Sequence, residues 1–239
     1  MGLAHSPRIV TDNLVLALDA ANVKSYPGSG TTWTDLSGKG NNGTLTGGPT
    51  YGSDNGGFFE FDGDNDYVDL GTISTSNPLQ MDDPSGGGLT ISWWGYFDDA
   101  GDYLQRIFEK SNGTGASNGW GIFTSATGSG TTHINLNHGG VSSQRVSTSY
   151  LDSTWQNWCI TWVKSSGTYV TYLNGVQDDT GTRTYSIPSA QTNARIGSWN
   201  HSTGREYDGK IANLNIYDKA LTAAEVKQNF NALRGRYGI

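Results

Sequence analysis

The chain of 239 residues contains 34 glycines and 11% aromatic but only 15% charged residues, a composition typical of many short strands joined by tight turns rather than of a helical or disordered protein. Its net charge of −7, with no cluster of Lys or Arg, argues against a nucleic-acid partner. The single cysteine, Cys159, excludes an internal disulfide, and no apolar run is long enough for membrane insertion.

The N-terminal part divides into an arm and the first strands of a sandwich. Residues 1–13 contain Pro7 and have no usable periodicity, which predicts an extended arm that either frays or docks on a neighbour. We expect residues 14–239 to form one domain, because β-sandwiches of this size routinely fold as a single unit. Short apolar runs bounded by turn formers predict strands at residues 14–19, 58–61 and 67–70.

The strand predicted at residues 89–97 alternates two sets of side chains. Leu89 and Trp93 lie on one face, and Trp94 and Tyr96 lie on the opposite face. The second pair either lines a sugar-binding groove or packs beneath another layer of the protein. Further strands are predicted at residues 106–109, 120–124, 133–137, 145–149 and 155–163.

A hairpin and one more strand follow in the last third of the chain. Asn174-Gly175 separates two β-rich runs and supplies the two positive-φ residues of a type I′ turn. In the strand at residues 210–217, alternation places Ala212 and Leu214 on the same, core-facing side.

A single helix is predicted to close the chain. Thr222 with Glu225 three residues later has the spacing of a capping box, so the helix covers residues 223–234. Leu221 is placed to contact Val226 across the first turn, and Gly235 is placed to end the helix.

Four motifs follow one another between residues 89 and 225. They are Leu-Thr-Ile-Ser-Trp-Trp at 89–94, a Trp-led strand at 155–163, Tyr-Leu-Asn-Gly at 172–175, and Tyr-Asp-Gly-Lys-Ile at 207–211 continuing to Glu225. This ordered set resembles the laminin-G-like family of concanavalin A-like lectin and glucanase jelly rolls. The resemblance implies an all-β fold, a two-sheet antiparallel sandwich with one short C-terminal helix. It carries little information on function, because sites are grafted onto folds.

Both ends of the chain carry a second, narrower resemblance. Residues 5–22 and 25–38, together with the ending at residues 225–237, look like the openings and endings of structural proteins from tailed, especially marine, phages. That resemblance implies a virion protein on the surface of the capsid or tail. Its partners would be other virion proteins, reached through the N-terminal arm, or further copies of the same chain in a homo-oligomer.

Six residues have the chemistry of a glycan site. Aromatic rings offer an apolar face to a sugar ring, while Asn, His and Arg fix the hydroxyl groups. The candidates lie on the strand at 89–97 and in a Gly/Ser/Thr-rich loop, where a large aromatic residue is more often a contact residue than a core residue. They are Trp94, Tyr96, Trp199, Asn200, His201 and Arg205.

The acidic residues near position 62 allow two further interpretations. Asp62, Asp64 and Asp66 offer hard oxygen ligands for calcium, or they belong to a solvated Asx-rich turn. Relatives with this fold often bind calcium and carry Asp-Glu after Gly-Lys-Ile, whereas Ala212 and Asn213 stand here. Glu60 and Asp62 have the alternate spacing of a glycosidase carboxylate pair, but turn residues follow where such a strand would continue.

Three hypotheses for function follow. The first is a non-enzymatic virion protein that displays a lectin-like domain and contacts host-surface glycans. The second is a free carbohydrate-binding lectin module. The third, a glycoside hydrolase using Glu60 and Asp62, is the least favoured, and we assign no catalytic residues. The four histidines show no metal-ligand spacing.

Overall fold

The computed structural model describes residues 7–98, 104–111, 119–126, 132–138, 144–145, 153–182, 186–199 and 204–239, with the backbone alone for 125–126, 132–138 and 144–145. Within these residues the strands are β1 (Leu14–Asp19), β2 (Thr32–Trp33), β3 (Gly43–Thr46), β4 (Thr50–Gly52), β5 (Phe58–Asp62), β6 (Tyr67–Ile73), β7 (Gly87–Phe97), β8 (Arg106–Lys110), β9 (Trp120–Ala126), β10 (Thr132–His138), β11 (Gln144–Arg145), β12 (Gln156–Val163), β13 (Thr168–Leu173), β14 (Val176–Thr182), β15 (Thr192–Ile196) and β16 (Asp208–Lys219). One α-helix, α1 (Ala223–Leu233), and short 3-10 turns at Asp54–Gly56, Pro78–Gln80 and Arg234–Arg236 accompany them.

The strands form two antiparallel sheets. The first sheet has the order β14-β13-β12-β7-β16-β5-β4, with β1 paired to β16 beyond the end of β5. The second sheet has the order β11-β10-β9-β8-β15-β6-β3-β2. The all-β, two-sheet antiparallel sandwich predicted from the sequence is therefore confirmed. The strand expected at residues 145–149 begins as the short β11, and residues 146–149 lie outside the described residues.

One continuous aromatic core lies between the sheets. The alternation in β7 and β12 places Trp93 and Trp158 on the inner face, where their rings stack with centroids 6.2 Å apart. Cys159, on the other face of β12, is buried, and burial raises the pKa of its thiol well above the usual range. Cys159 therefore packs as a small apolar residue and not as a reactive thiolate.

A second layer covers the outer face of the first sheet. Helix α1 begins with the predicted capping box: Glu225 N–H donates to Thr222 Oγ1 at 3.3 Å, and Thr222 N–H donates to Glu225 Oε2 at 2.8 Å. Leu221 and Val226 belong to one apolar cluster, as the predicted contact across the first turn requires. The helix buries Val226 and Phe230 against the sheet.

Two local predictions are wrong, and each has a physical reason. A β-bulge between Ile211 and Asn213 shifts the alternation in β16, so Ala212 packs under α1 while Leu214 faces the central core. The α-helix ends at Leu233, one residue before the predicted end, but Gly235 does not cap it in the left-handed conformation, because the chain continues from Arg234 into a 3-10 turn that reaches Arg236.

The described part of the arm contacts the protein's own C-terminal helix. Val10 N–H donates to Asn229 Oδ1 at 2.8 Å, and Gln228 Nε2 donates to the carbonyl of Arg8 at 2.7 Å. The hydroxyl of Tyr217 donates to the carbonyl of Val10 at 3.0 Å. Residues 1–6 of the predicted arm lie outside the described residues. No helix in the part of the chain that the structure describes is long and apolar enough to cross a membrane.

The Asn174-Gly175 hairpin has the predicted backbone. Both residues have positive φ, 51° and 71°, between β13 and β14. Gly175 also approaches the helix: a Cβ at this position would lie 2.8 Å from the ring of Phe230. The turn therefore needs glycine for its conformation and for its contact with α1.

Replacing Thr222 by alanine tests the capping box. The substitution removes the hydroxyl that accepts from Glu225 N–H, so we expect the free energy of unfolding to fall by about 1 kcal/mol. Urea denaturation measures the change. The Thr222→Ser variant keeps the hydroxyl and serves as the control, and equal losses in both variants would contradict the role given to the cap.

Candidate ligand-binding site

The loop between β15 and β16 lies against β8 through two backbone hydrogen bonds, and a third closes the loop on itself. Gly197 N–H donates to the carbonyl of Ile107 at 3.3 Å, and Arg106 N–H donates to the carbonyl of Arg205 at 3.0 Å. Tyr207 N–H closes the loop by donating to the carbonyl of Gly197 at 2.8 Å. These bonds bring the side chains at positions 199 and 205 next to Arg106.

Aromatic rings and guanidinium groups alternate at this place. The Cζ of Arg205 lies 3.9 Å from the ring centroid of Trp199, and the Cζ of Arg106 lies 5.6 Å from the same ring. Arg106 also lies 4.1 Å from the ring of Phe123 on β9. Each close contact of this kind contributes on the order of 0.5–2 kcal/mol. We call Trp199, Arg205, Arg106, Phe123 and Glu109 the arginine stack.

A buried ion pair forms the base of the arginine stack. Arg106 Nε lies 3.2 Å from Glu109 Oε2, and both residues are 1% exposed. The other carboxylate oxygen of Glu109 accepts from the Ser111 hydroxyl. Burial lowers the pKa of Arg106 to about 10, against the opposing effect of Glu109. Burial likewise raises the pKa of Glu109, although Arg106 and Ser111 stabilise its charge.

Arg205 differs from Arg106 in having no carboxylate partner. Its guanidinium makes no hydrogen bond or ion pair with any residue that the structure describes, and the side chain is half-buried. Glu206 is next in the sequence, but its Oε2 accepts from the backbone amides of Gly204 and Arg205, each at 2.7 Å. In the described part of the chain, the loop backbone therefore uses the Glu206 carboxylate, and the Arg205 guanidinium has no hydrogen-bonded carboxylate partner.

The structure brings together two of the six predicted glycan-site residues. Trp199 and Arg205 are in contact, as the shared loop suggested, but Trp199 is only 5% exposed and its ring supports Arg205. Asn200 and His201 lie outside the described residues.

The prediction that Trp94 contacts a sugar is wrong. Trp94 lies on the predicted face, but α1 covers that face, so its exposure is 0% and no side of the ring is open to a sugar. The ring is stacked between Tyr237 and Phe230. Tyr96, on the same face, is half-buried beside Trp155, with Lys210 Nζ 4.5 Å from its ring centroid. It belongs to the first sheet, away from the arginine stack.

Arg106 and Glu109 were not among the sequence candidates. A signal existed, because β8 reads Arg-Ile-Phe-Glu-Lys and carries three charged residues in a strand whose five residues are all buried. Charged side chains are almost never fully buried unless they are paired. The pairing also depends on Gly121 in β9, since a Cβ there would lie 2.2 Å from Glu109 Oε2.

The acidic residues near position 62 line a separate cavity of about 330 Å³. Asp62 and Asp66 face it, whereas Asp64 does not line it. Burial raises the pKa of Asp66, and the neighbouring Asp62 and Asp64 carboxylates raise it further, against a hydrogen bond from the Asp62 amide. Across the described ranges, no group of three His, Cys, Asp or Glu side chains is arranged to hold a metal ion. Calcium binding by Asp62, Asp64 and Asp66 stays a prediction.

Glu60 lies on the same face of β5 as Asp62, with Phe59 and Phe61 in the core between the sheets. The Glu60 carboxylate is occupied by an ion pair, with Lys210 Nζ 3.4 Å from Oε1. As the sequence predicted, β5 ends at Asp62, where the Asp62 carboxylate accepts from the amide of Asp64 at 3.0 Å. That turn uses the carboxylate that the glycosidase hypothesis would need.

Comparison with known proteins identifies the fold family. The family model described as "Concanavalin A-like lectin/glucanases superfamily", Laminin_G_3, matches residues 61–227. No curated protein sequence matches this chain.

Three solved structures illustrate the structural similarity. Domain 4 of AbnA, a GH43 extracellular arabinanase from Geobacillus stearothermophilus solved in complex with arabinotriose, is 19% identical with a TM-score of 0.65, covering 91% of this chain and 98% of that one. The binding domain of botulinum neurotoxin DC in complex with SialylT is 17% identical with a TM-score of 0.69, covering 93% of this chain and 52% of that one. A Trypanosoma rangeli sialidase in complex with 2,3-difluorosialic acid is 12% identical with a TM-score of 0.67, covering 98% of this chain and 36% of that one. At these identities the similarity shows the fold alone.

Proposed function

The chain belongs to the Laminin_G_3 family of the concanavalin A-like lectin/glucanase superfamily, and from that membership we propose that it is a non-catalytic, carbohydrate-binding, lectin-like protein. The observation that carries the proposal is the arginine stack, in which Arg205 lies 3.9 Å from Trp199 without a carboxylate partner among the described residues. Domains of the same fold have been solved with arabinotriose and with SialylT, which supports a saccharide as the ligand class.

A glycan array tests carbohydrate binding directly. We expect the wild-type protein to bind at least one class of saccharide and Arg205→Ala to lose that binding, because the guanidinium is the one half-exposed charge of the stack. Arg234→Ala is the matched control, since Arg234 also lies over an aromatic ring, Phe230, but near the C-terminus. A wild-type protein that binds no saccharide on the array would contradict the proposed function.

The absence of catalysis is a separate part of the proposal. It is supported by the ion pair of Glu60 with Lys210 and by the turn that begins at Asp62, because that turn stands where a glycosidase strand would continue. We expect the wild type and Glu60→Gln to release the same background level of reducing sugar from oligosaccharides. Hydrolysis by the wild type that Glu60→Gln abolishes would overturn this part.

We further propose that the protein is displayed on the virion of a tailed phage, on the capsid or a tail appendage. The support is the resemblance of residues 5–22, 25–38 and 225–237 to such structural proteins, with the N-terminal arm as the docking element for other virion proteins or for further copies of this chain. Contact with host-surface glycans is the role that this location would give to the arginine stack.

Deletion of residues 1–6 tests display on the virion without disturbing the contacts of the remaining arm. The hydrogen bond between Val10 and Asn229 stays in place in this variant, so the sandwich is expected to keep its melting temperature. We expect mass spectrometry of purified particles to find the wild-type protein and to find the shortened protein depleted. Particles without the wild-type protein would favour the free lectin instead.

A further inference from the structure

We infer from the geometry of the arginine stack that its ligand is a saccharide bearing a carboxylate, and that Arg205 is the residue that recognises the acidic group. The inference rests on the proposed carbohydrate binding and names the class of sugar. Under this inference, the single side chain of Arg205 distinguishes acidic from neutral glycans.

The first step is the difference between the two arginines. The charge of Arg106 is compensated by Glu109 at 3.2 Å, whereas Arg205 has neither a hydrogen bond nor an ion pair in the described ranges. The carboxylate of Glu206 is already held by two backbone amides. Two arginines and two glutamates, Arg106, Arg205, Glu109 and Glu206, have a formal net charge of zero. It is therefore their arrangement, and not an excess of positive charge, that leaves one guanidinium to bind an external anion.

The second step is preorganisation. Stacking on Trp199 restricts the Arg205 side chain before a ligand binds. Binding therefore loses less side-chain conformational entropy. The planar guanidinium presents its N–H groups in a fork that matches the two oxygens of a carboxylate. Since Arg205 is half-buried, its interaction with an anion is screened less than at a fully exposed site.

The third step is the repulsion between like charges. The positive charge of Arg205 contributes to the lowered pKa of Arg106, after burial and against the opposing effect of Glu109. Arg205 also helps to stabilise the buried Glu109 carboxylate, so the two buried charges oppose each other in their effect on an anion at Arg205, and the preference for an anion rests on the guanidinium of Arg205 itself. The ring of Trp199 is only 5% exposed, so stacking of a neutral sugar on this ring is not available as an alternative.

Isothermal titration with matched saccharides tests the inference. The pairs are an oligogalacturonate with its methyl ester, and sialyllactose with lactose. We expect at least one acidic member to bind about tenfold or more tightly than its neutral counterpart at low salt. This preference should shrink as the salt concentration rises, because added ions screen the guanidinium.

Variants at position 205 identify the residue responsible. We expect Arg205→Gln to lose the acidic preference, and Arg205→Lys to retain only part of it because a lysine lacks the bidentate fork. Arg234→Gln removes one arginine from another aromatic ring, that of Phe230, and should leave the preference intact. A thermal melt of each variant confirms that it is folded.

The outcomes are distinguishable. Equal affinity for the acid and its neutral counterpart in both pairs, or a preference unaffected by Arg205→Gln, would overturn the inference while the proposed function stands. A protein that binds no saccharide would overturn both. Tighter binding of lactose 3-sulfate than of sialyllactose would reassign the site to sulfate, and tighter binding of oligoglutamate would reassign it to acidic peptides.

Discussion

Replacing Trp94 by alanine is expected to lower the free energy of unfolding by about 3–5 kcal/mol, the range for removing a fully buried Trp. The ring is 0% exposed. It stacks on Tyr237, with ring centroids 3.9 Å apart, and on Phe230, with ring centroids 5.7 Å apart. Its removal leaves a cavity beneath α1 where the large ring was packed. Guanidinium denaturation followed by tryptophan fluorescence and circular dichroism measures the loss.

The matched control is Tyr96→Ala, two residues further along the same face of β7. Tyr96 is half-buried, so its loss is expected to be smaller by about 2 kcal/mol or more. Trp94→Phe keeps a ring in the stack, so its loss in the free energy of unfolding should lie between those of Trp94→Ala and Tyr96→Ala. A Trp94→Ala variant no less stable than Tyr96→Ala would show that the helix does not seal this face.

Replacing Arg106 by methionine is expected to cost about 3–5 kcal/mol, because it leaves the buried carboxylate of Glu109 without its partner. The double variant Arg106→Met with Glu109→Leu should recover most of that loss, because neither charge is then buried alone. Urea titrations of the two single variants and the double variant provide the coupling energy. A double variant as unstable as Arg106→Met would contradict this assignment of the pair.

The Arg106→Met variant also has a predicted pH dependence. The pKa of Glu109 is already raised by burial, and removing Arg106 takes away an interaction that lowers it. The folded state of the variant therefore binds a proton more readily than the unfolded state, so its stability rises as the pH falls from 7 towards the unfolded carboxyl pKa. The double variant has no carboxylate at position 109, so its stability should not show this rise as the pH falls.

Much of the fold could be predicted from short-range patterns. The alternation in β7 and β12, the positive-φ pair Asn174-Gly175 and the capping box at Thr222 each act within a few residues. The bulge next to Ala212 could not be predicted, because it depends on how β16 pairs with β7. Alternation assigned Trp94 to the correct face, but whether that face is open depends on where α1 packs.

The candidate site illustrates the same limit. Loop composition predicted Trp199 and Arg205 as contact residues, and the structure places their side chains together. The position of this loop beside Arg106 depends on the backbone bond between Arg106 and Arg205, which joins residues far apart in the sequence. The ion pair of Arg106 with Glu109 needs Gly121 on the neighbouring strand, and register between strands cannot be predicted from one strand alone.

The pairing of β1 with β16 has a consequence for how the protein is made. Val10 bonds to Asn229, and Arg236 forms a bidentate ion pair with Asp19 at 2.8 and 3.1 Å, so β1 cannot complete its contacts until residues 229–236 have been synthesised. Contacts of such wide sequence separation slow folding, since the chain must close a very long loop before they form. We expect nascent chains that lack residues 229–236 to remain incompletely folded and prone to aggregation.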